Sequence, residues 1–258
     1  DLEEMPVVVA DLHSSLPAVL AGLRSPQGEK QLRVVYVMTD GGALPLAYSR
    51  LVAALSQAGW LAGTVTAGQA WGGDIEAVSV HNALLAARHV LHADAAVVIQ
   101  GPGNLGTETP WGFSGVACGD AVNAIAALGG RAVACLRVSQ ADARARHRGV
   151  SHHSMTAYGR VALAGADVVV TDLEGELGTQ VRQEAEALCA PRQGAVQHRL
   201  IEIPSNGLLE RLRAAEAETG VRLSTMRRGL EEDTAAFITA AAAGCHVHRL
   251  LRTETVRG

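Results

Sequence analysis

Lysine is almost missing from this 258-residue chain: Lys30 is the only one, so nearly every cation is arginine. A GC-rich genome is the simplest cause, and arginine abundance by itself therefore carries no argument for bidentate anion recognition. Cysteine is sparse as well. Cys118, Cys135, Cys189 and Cys245 stand far apart, with no C-x-x-C pair and no metal-ligand spacing. That pattern argues against a disulfide scaffold and reads as reduced thiols in a cytoplasm. Apolar runs are short and broken by Gly, Asp or Arg, well below the roughly 18–20 residues that cross a bilayer, so no membrane span is predicted. Positive net charge is lacking: the formal charge of −4 argues against a general nucleic-acid binder, which needs a basic surface. The opening "DLEEMPVVVADLHSSLP" lacks the basic start and small-residue cleavage site of a secretory signal. It reads as the start of a fragment or a processed chain.

What is abundant is apolar character, at 48% of residues, ample for a buried core. Seven short β-branched runs recur, at 7–10, 33–38, 63–67, 95–99, 132–136, 167–170 and 199–203. Their continuous rather than alternating apolarity predicts strands covered on both faces, as in a parallel sheet. Helical patterns lie between and after them, at 43–59, 74–93, 114–130, 151–166, 179–190, 207–220 and 229–244. Strand and helix alternate throughout. The predicted class is α/β: a doubly wound, mostly parallel sheet with helices on both faces, a three-layer Rossmann-like arrangement in one domain. The stretch before Lys30, with "RSPQGEK" as a surface turn, is the one place where a preceding unit would end.

In open parallel sheets ligands bind outside the carboxyl ends of the strands. Those ends carry Asp11-Leu12-His13, then Asp40-Gly41-Gly42, Gly72-Gly73-Asp74, Gln100-Gly101-Pro102-Gly103-Asn104, Arg137-Val138-Ser139 and Thr171-Asp172. Turns favour such residues on their own account, yet their recurrence at nearly every exit points to a crevice. The loop at 100–115 contains G-x-G-x-x-G at Gly101, Gly103 and Gly106, the spacing that lets backbone amides approach an anion. Pro102, the run from Thr107 to Pro110 and a late helix start depart from the tight dinucleotide-binding turn.

The segment "RARHRGVSHHS" (144–154) gathers three arginines, three histidines and two serines. Ser151 is a good N-cap and places His152 and His153 in the first helical turn, where the helix dipole favours neutral imidazole. Arg144, Arg146 and Arg148 precede them as candidate anion ligands. Adjacent helical residues point about 100° apart. On that ground the two are not expected to bind one metal from the same face; one ring is expected to face the crevice and the other to pack or bond to the backbone, and the metal is left unknown. A metal would need further ligands from Asp40, Asp74 or His13; Asp40 fits better as the carboxylate that orients a histidine. His81, His89, His92, His246 and His248 read as structural. Arg227 and Arg228, in "STMRRGLEED", reach the crevice only if the last helix folds back across the sheet.

The stretches "VMTDGGALPLAYSRL", "GPGNLGT", "RHRGVSHHS" and "STMRRGLEED", in that order, resemble a bacterial family catalogued as a domain of unknown function. The resemblance covers about Val34 to Gly244. It implies bacterial origin, a cytoplasmic setting and an additional β-rich segment upstream. The family has glycine where Arg227 stands here. No activity comes with it.

Three functions stay open. The first is a hydrolase or group-transfer enzyme for a small anionic molecule. In it His152 or His153 acts as acid/base and Asp40 orients it. Gly41, Gly42, Asp74, Gly101, Gly103, Asn104, Gly106, Arg146, Arg148 and Ser151 form the ligand site. The second is a metabolite-binding or regulatory module without chemistry. The third is a nicotinamide-dependent oxidoreductase with Arg137 and Ser139 near a 2′-phosphate. No cofactor is assigned, neither nucleic acid nor membrane is a predicted partner, and a homo-oligomer is expected on general grounds.

Overall fold

All seven apolar runs form strands of one parallel sheet, and an eighth joins at its edge. The computed structural model describes residues 1–25, 29–42 and 44–255, so the middle of the "RSPQGEK" turn lies outside the described residues. The sheet strands are β1 (Pro6–Ala10), β2 (Val34–Thr39), β3 (Gly63–Ala67), β4 (Ile75–Ala77), β5 (Ala95–Gln100), β6 (Arg131–Cys135), β9 (Asp167–Thr171) and β10 (Arg199–Ile203). Two short antiparallel ladders stand apart, β7 (Val138–Ser139) with β8 (Gly149–Val150) and β11 (Ser224–Thr225) with β12 (Arg228–Gly229). The sheet order is β10-β9-β6-β1-β5-β2-β3-β4.

Successive residues of a strand face opposite sides, and here both sides are buried. Val7 and Val9 of β1 enter one core with Val35, Val37, Ala96, Val98 and Val168. Val8 and Ala10 enter the other with Tyr36, Met38, Val97, Ile99 and Val133. Helices α1 (Leu16–Leu23), α2 (Arg50–Gln57), α7 (Leu208–Thr219) and α8 (Thr234–Thr255) cover the second core. The first lies under α3 (Val80–His89), α4 (Ala117–Ala127), α6 (Gly175–Cys189) and the segment in which α5 (His152–Thr156) runs into a turn of π-helix at Ala157–Val161. The result is the three-layer, doubly wound α/β arrangement. Among the described residues no helix is long and apolar enough to cross a membrane.

The winding fixes which face each connection takes. From β1 the chain steps outward to β2, β3 and β4 with α1 and α2 on one face. It then returns to β5, beside β1, and continues through β6 and β9 to β10 with α3, α4, α5 and α6 on the other. Right-handed crossovers require this change of face when the direction of travel reverses.

The expected helix over 151–166 ends at Val161 as a turn of π-helix, α6 begins four residues before the expected 179, and four further elements differ for physical reasons that can be named. Residues 74–93 are not one helix: Asp74 accepts hydrogen bonds from the Thr64 amide at 2.8 Å and the Thr64 hydroxyl at 2.9 Å. That pairing holds β4 against β3, and α3 begins only after Ser79 caps it. Helix α2 starts only at Arg50, where the Ser49 hydroxyl accepts from the Val52 amide; Leu46–Tyr48 before it form a separate 3-10 turn. Helix α8 starts five residues later than the pattern suggests, after the β11–β12 turn. In that turn Met226 and Arg227 have φ of 49° and 66°, the region that favours glycine. Helix α1 was not legible at all, since all eight of its residues are buried and it has no polar face to create a period.

Candidate functional site

Asp11 ends β1, whose connection runs to α1 on one face, while the connections of its two neighbours, β5 and β6, run to the other. The chain therefore parts around Asp11, and this is where an open α/β sheet leaves a crevice. The carboxylate is buried at 5% exposure. Its Oδ2 accepts from Arg137 at 3.2 Å and lies 3.0 Å from His153 Nδ1. Its Oδ1 accepts from the side-chain amides of Gln100 at 3.2 Å and Asn104 at 3.4 Å. Gly115 permits this approach, because a Cβ there would overlap Oδ1. Burial opposes ionisation of Asp11, but the His153 hydrogen bond and the Arg137 charge outweigh it and hold the carboxyl below its ordinary range.

The histidine segment reaches Asp11 through the β7–β8 ladder. Gly149, at φ 65°, turns the chain so that the Ser151 amide donates to the Arg137 carbonyl at 2.8 Å. The Ser154 hydroxyl accepts from the Arg137 amide at 2.9 Å. Ser151 is the N-cap of α5: its hydroxyl accepts from the His153 amide at 3.2 Å and also meets His147 Nδ1 at 2.7 Å. One serine thus fixes two imidazoles. His147 arrives from the short 3-10 turn Ala145–His147 and is 1% exposed.

The rings of His147, His152 and His153 converge. Their centroids are 4.5–4.9 Å apart, and one ligand atom from each lies within 4.8 Å of the other two. Among the described residues this is the one such group of three His, Cys, Asp or Glu. Phe113 stacks on His153 at 3.8 Å with 5° between the planes. His153 Nδ1 lies 3.0 Å from the Asp11 carboxylate, which can only accept, and 3.1 Å from the Arg137 guanidinium, which can only donate; with Arg137 donating to Asp11 Oδ2, the carboxylate favours a proton on Nδ1 and a bare Nε2. His152 Nε2 is buried with no hydrogen-bond partner. Burial, then the charges of Arg137 and Arg144, push His147 down to about 3. Burial and then His153 hold His152 below its ordinary value. Both are neutral at pH 7, the form that donates a lone pair.

The family described as "Protein of unknown function (DUF3866)" matches residues 1–244. The chain belongs to this family. The match includes β1 and Asp11, upstream of the Val34 at which the sequence resemblance began. No curated protein matches the chain.

The other residues singled out from the sequence of this DUF3866 member divide into two groups. Gly41 and Gly42 meet the loop after β5: a Cβ on Gly42 would overlap the Gly101 carbonyl, and one on Gly41 would crowd the Gln100 side chain. Asn104 bonds the Gln100 amide and accepts from the Ser114 hydroxyl at 2.8 Å. Gly103 turns the loop at φ 94°, and Gly106 bridges to Phe113, the residue stacked on His153. The G-x-G-x-x-G stretch therefore folds back on itself and does not lead directly into a helix; α4 starts at Ala117.

The second group lies elsewhere. Asp40 is exposed and accepts from the Gln69 amide at 3.0 Å, so the carboxylate that orients a histidine is Asp11 and not Asp40. Asp74 is occupied by Thr64 at the sheet edge. His13 has both ring nitrogens engaged, by Tyr36 at 2.9 Å and Ser49 at 2.7 Å. Arg144 pairs with Asp142 and Arg148 donates to the Asp142 carbonyl. Arg146 is exposed, and its charge acts on His152. Arg228 does fold back, but onto Asp233 and Asp142.

Sequence reasoning missed Asp11, Arg137 as its partner, Phe113 and His147. The expected divergence of His152 and His153 also fails: the 100° separates the Cα–Cβ directions, and two rings at a helix start still meet ahead of it. A signal was present for His147, which stands five residues before the His152-His153 pair and beyond a turn-forming glycine. Asp11 closes the most apolar of the runs, "VVVAD".

Proposed function

We propose that the protein is a hydrolase or group-transfer enzyme acting on a small anionic substrate at the carboxyl ends of β1, β5 and β6. The observation that supports it is the buried Asp11–His153 pair at 3.0 Å, set where the connections part and beside the neutral imidazoles of His147 and His152. A carboxylate that holds an imidazole in one tautomer, with the other nitrogen free toward a crevice, is the arrangement from which histidine chemistry is built. The turns at Gly41-Gly42 and Gly101–Asn104 pack against each other at the same end of the sheet. The exposed Arg146 adds positive charge that is felt at His152. Four free cysteines, three of them buried, support a reducing bacterial cytoplasm as the setting.

The test is to incubate the purified chain with an anionic metabolite extract and with chromogenic phosphate and carboxylic esters, following loss and product by mass spectrometry and absorbance. Consumption of an anionic compound by the wild type and not by H153Q is the expected result. A compound retained by the protein but unchanged over long incubation would replace this reading with the binding-module one. Equal turnover by H152Q, H153Q and wild type would remove the histidines from the chemistry.

A further inference from the structure

We propose that His147, His152 and His153 bind one divalent transition-metal ion of the zinc class through three imidazole nitrogens, leaving a coordination position for water or substrate. The argument starts from hydrogen-bond accounting. Buried polar atoms are almost always paired, and leaving one unpaired costs about 1–3 kcal/mol. His152 Nε2 is buried and unpaired, and its ring centroid lies 4.9 Å from that of His147 and 4.5 Å from that of His153. The hydrogen-bond partners of these rings lie at Nδ1: the Ser151 hydroxyl at His147, and the Asp11 carboxylate with the Arg137 guanidinium at His153. Three imidazoles that each bring a ring nitrogen within 4.8 Å of the other two, one of those rings with a buried nitrogen that has no partner, are matched by a cation.

The surroundings match a metal site beyond the ligands. In such sites each ligating histidine gives its other ring nitrogen to a carboxylate, hydroxyl or carbonyl, which sets the tautomer and the ring plane. Asp11 does this for His153 and Ser151 for His147. Phe113, flat against His153, supplies an apolar wall. Around a tetrahedral zinc with bonds of about 2.0–2.1 Å, ligand nitrogens sit about 3.4 Å apart. The three donors, within 4.8 Å of one another, reach that spacing by small ring movements. An all-imidazole donor set selects zinc, iron, cobalt, nickel or copper over magnesium or calcium, which take oxygen. Three protein ligands rather than four mark a site that keeps a position open.

The inference deepens the functional reading and rests on the same crevice, but metal binding is measured without substrate, so the two fail separately. The full chain, stripped with a chelator, is titrated with Co²⁺ and then Zn²⁺ by calorimetry and visible absorption. The expected result is one Co²⁺ per chain with the visible bands of low-symmetry cobalt, displaced by Zn²⁺. H147Q, H152Q and H153Q are expected to lose this binding event, D11N to weaken it about 10–100-fold, and H81Q, on the exposed face of α3, to keep it. X-ray absorption of the zinc-loaded wild type, expected to show three imidazoles, depends on no variant folding. Failure of the wild type to take up a stoichiometric ion, or unchanged binding by H147Q and H152Q, overturns the proposal. Metal binding without turnover of any compound sinks the enzyme reading and leaves the site. Turnover that survives complete metal removal keeps the enzyme reading and takes the ion out of its chemistry, while the titration alone decides the site.

Discussion

Replacing Asp11 by alanine removes the one carboxylate that, among the described residues, pairs with Arg137, whose side chain is 8% exposed and stays charged. The loss has three parts: the ion pair, the acceptor for His153 Nδ1, and the acceptor for the amides of Gln100 and Asn104. Breaking a buried pair by deleting one member costs about 3–5 kcal/mol, chiefly because the remaining charge cannot reach water. For a chain of this size each kcal/mol moves Tm by about 2–4 °C, so a fall of about 10 °C is expected. The assay is urea unfolding of wild type, D11A, R137M and the double variant, all in chelator so that metal release does not enter. R137M alone leaves Asp11 with His153 and the two amides and is the milder change. In the double variant no uncompensated guanidinium remains, so it is expected to be more stable than the two single losses predict by about 1–3 kcal/mol. Additivity within about 0.5 kcal/mol would refute the claim that Asp11 and Arg137 form one energetic unit.

Acid should weaken the fold from about pH 6.5 downward, before the carboxylates titrate. His147, held near 3, and His13, pushed down to about 4 by burial, stay neutral in the native state while the unfolded chain takes up protons near 6.5. Stability is therefore lost as pH falls through this window, by about 1.4 kcal/mol per pH unit for each group. The Asp11 carboxyl, held low, contributes above its unfolded value near 4 and is lost only below it. A urea midpoint that stays flat between pH 7 and pH 5 would contradict the burial of these imidazoles. Gly22→Ala would gain about 1 kcal/mol in an open helix. Here the new Cβ overlaps the Ala241 carbonyl of α8, and a net loss of about 1–3 kcal/mol is expected by denaturation; a stabilised variant would disprove the close α1–α8 contact. Asp233, fully buried, accepts from Ser139 at 2.7 Å, the Gln140 amide at 2.9 Å and Arg228 at 2.8 Å. D233N is expected to speed amide hydrogen exchange across 139–150, the segment that carries His147, and unchanged exchange there would show that the tie is dispensable.

The layered α/β plan was legible from local sequence because each central strand is buried on both faces, and double burial writes an uninterrupted β-branched run. The ends of those runs also marked where a crevice lies. Helix boundaries were less legible where a side chain from another element decided them, as Thr64 does for Asp74 and the segment around β4. Helix α1 gave no period because nothing on it faces water.

Local chemistry by itself determined that His152 and His153 sit in a first helical turn capped by Ser151, since a cap needs only its own next residues. Which carboxylate meets them was a matter of sheet order. Asp40 and Asp11 both end strands next to a turn, but only β1 lies between β5 and β6 where the connections diverge. Spacing along the chain carries no information about that neighbourhood, because strands far apart in sequence are brought together by pairing. The pairing of Asp11 with residue 153 and the meeting of three imidazoles around one point were thus decided only by the tertiary structure.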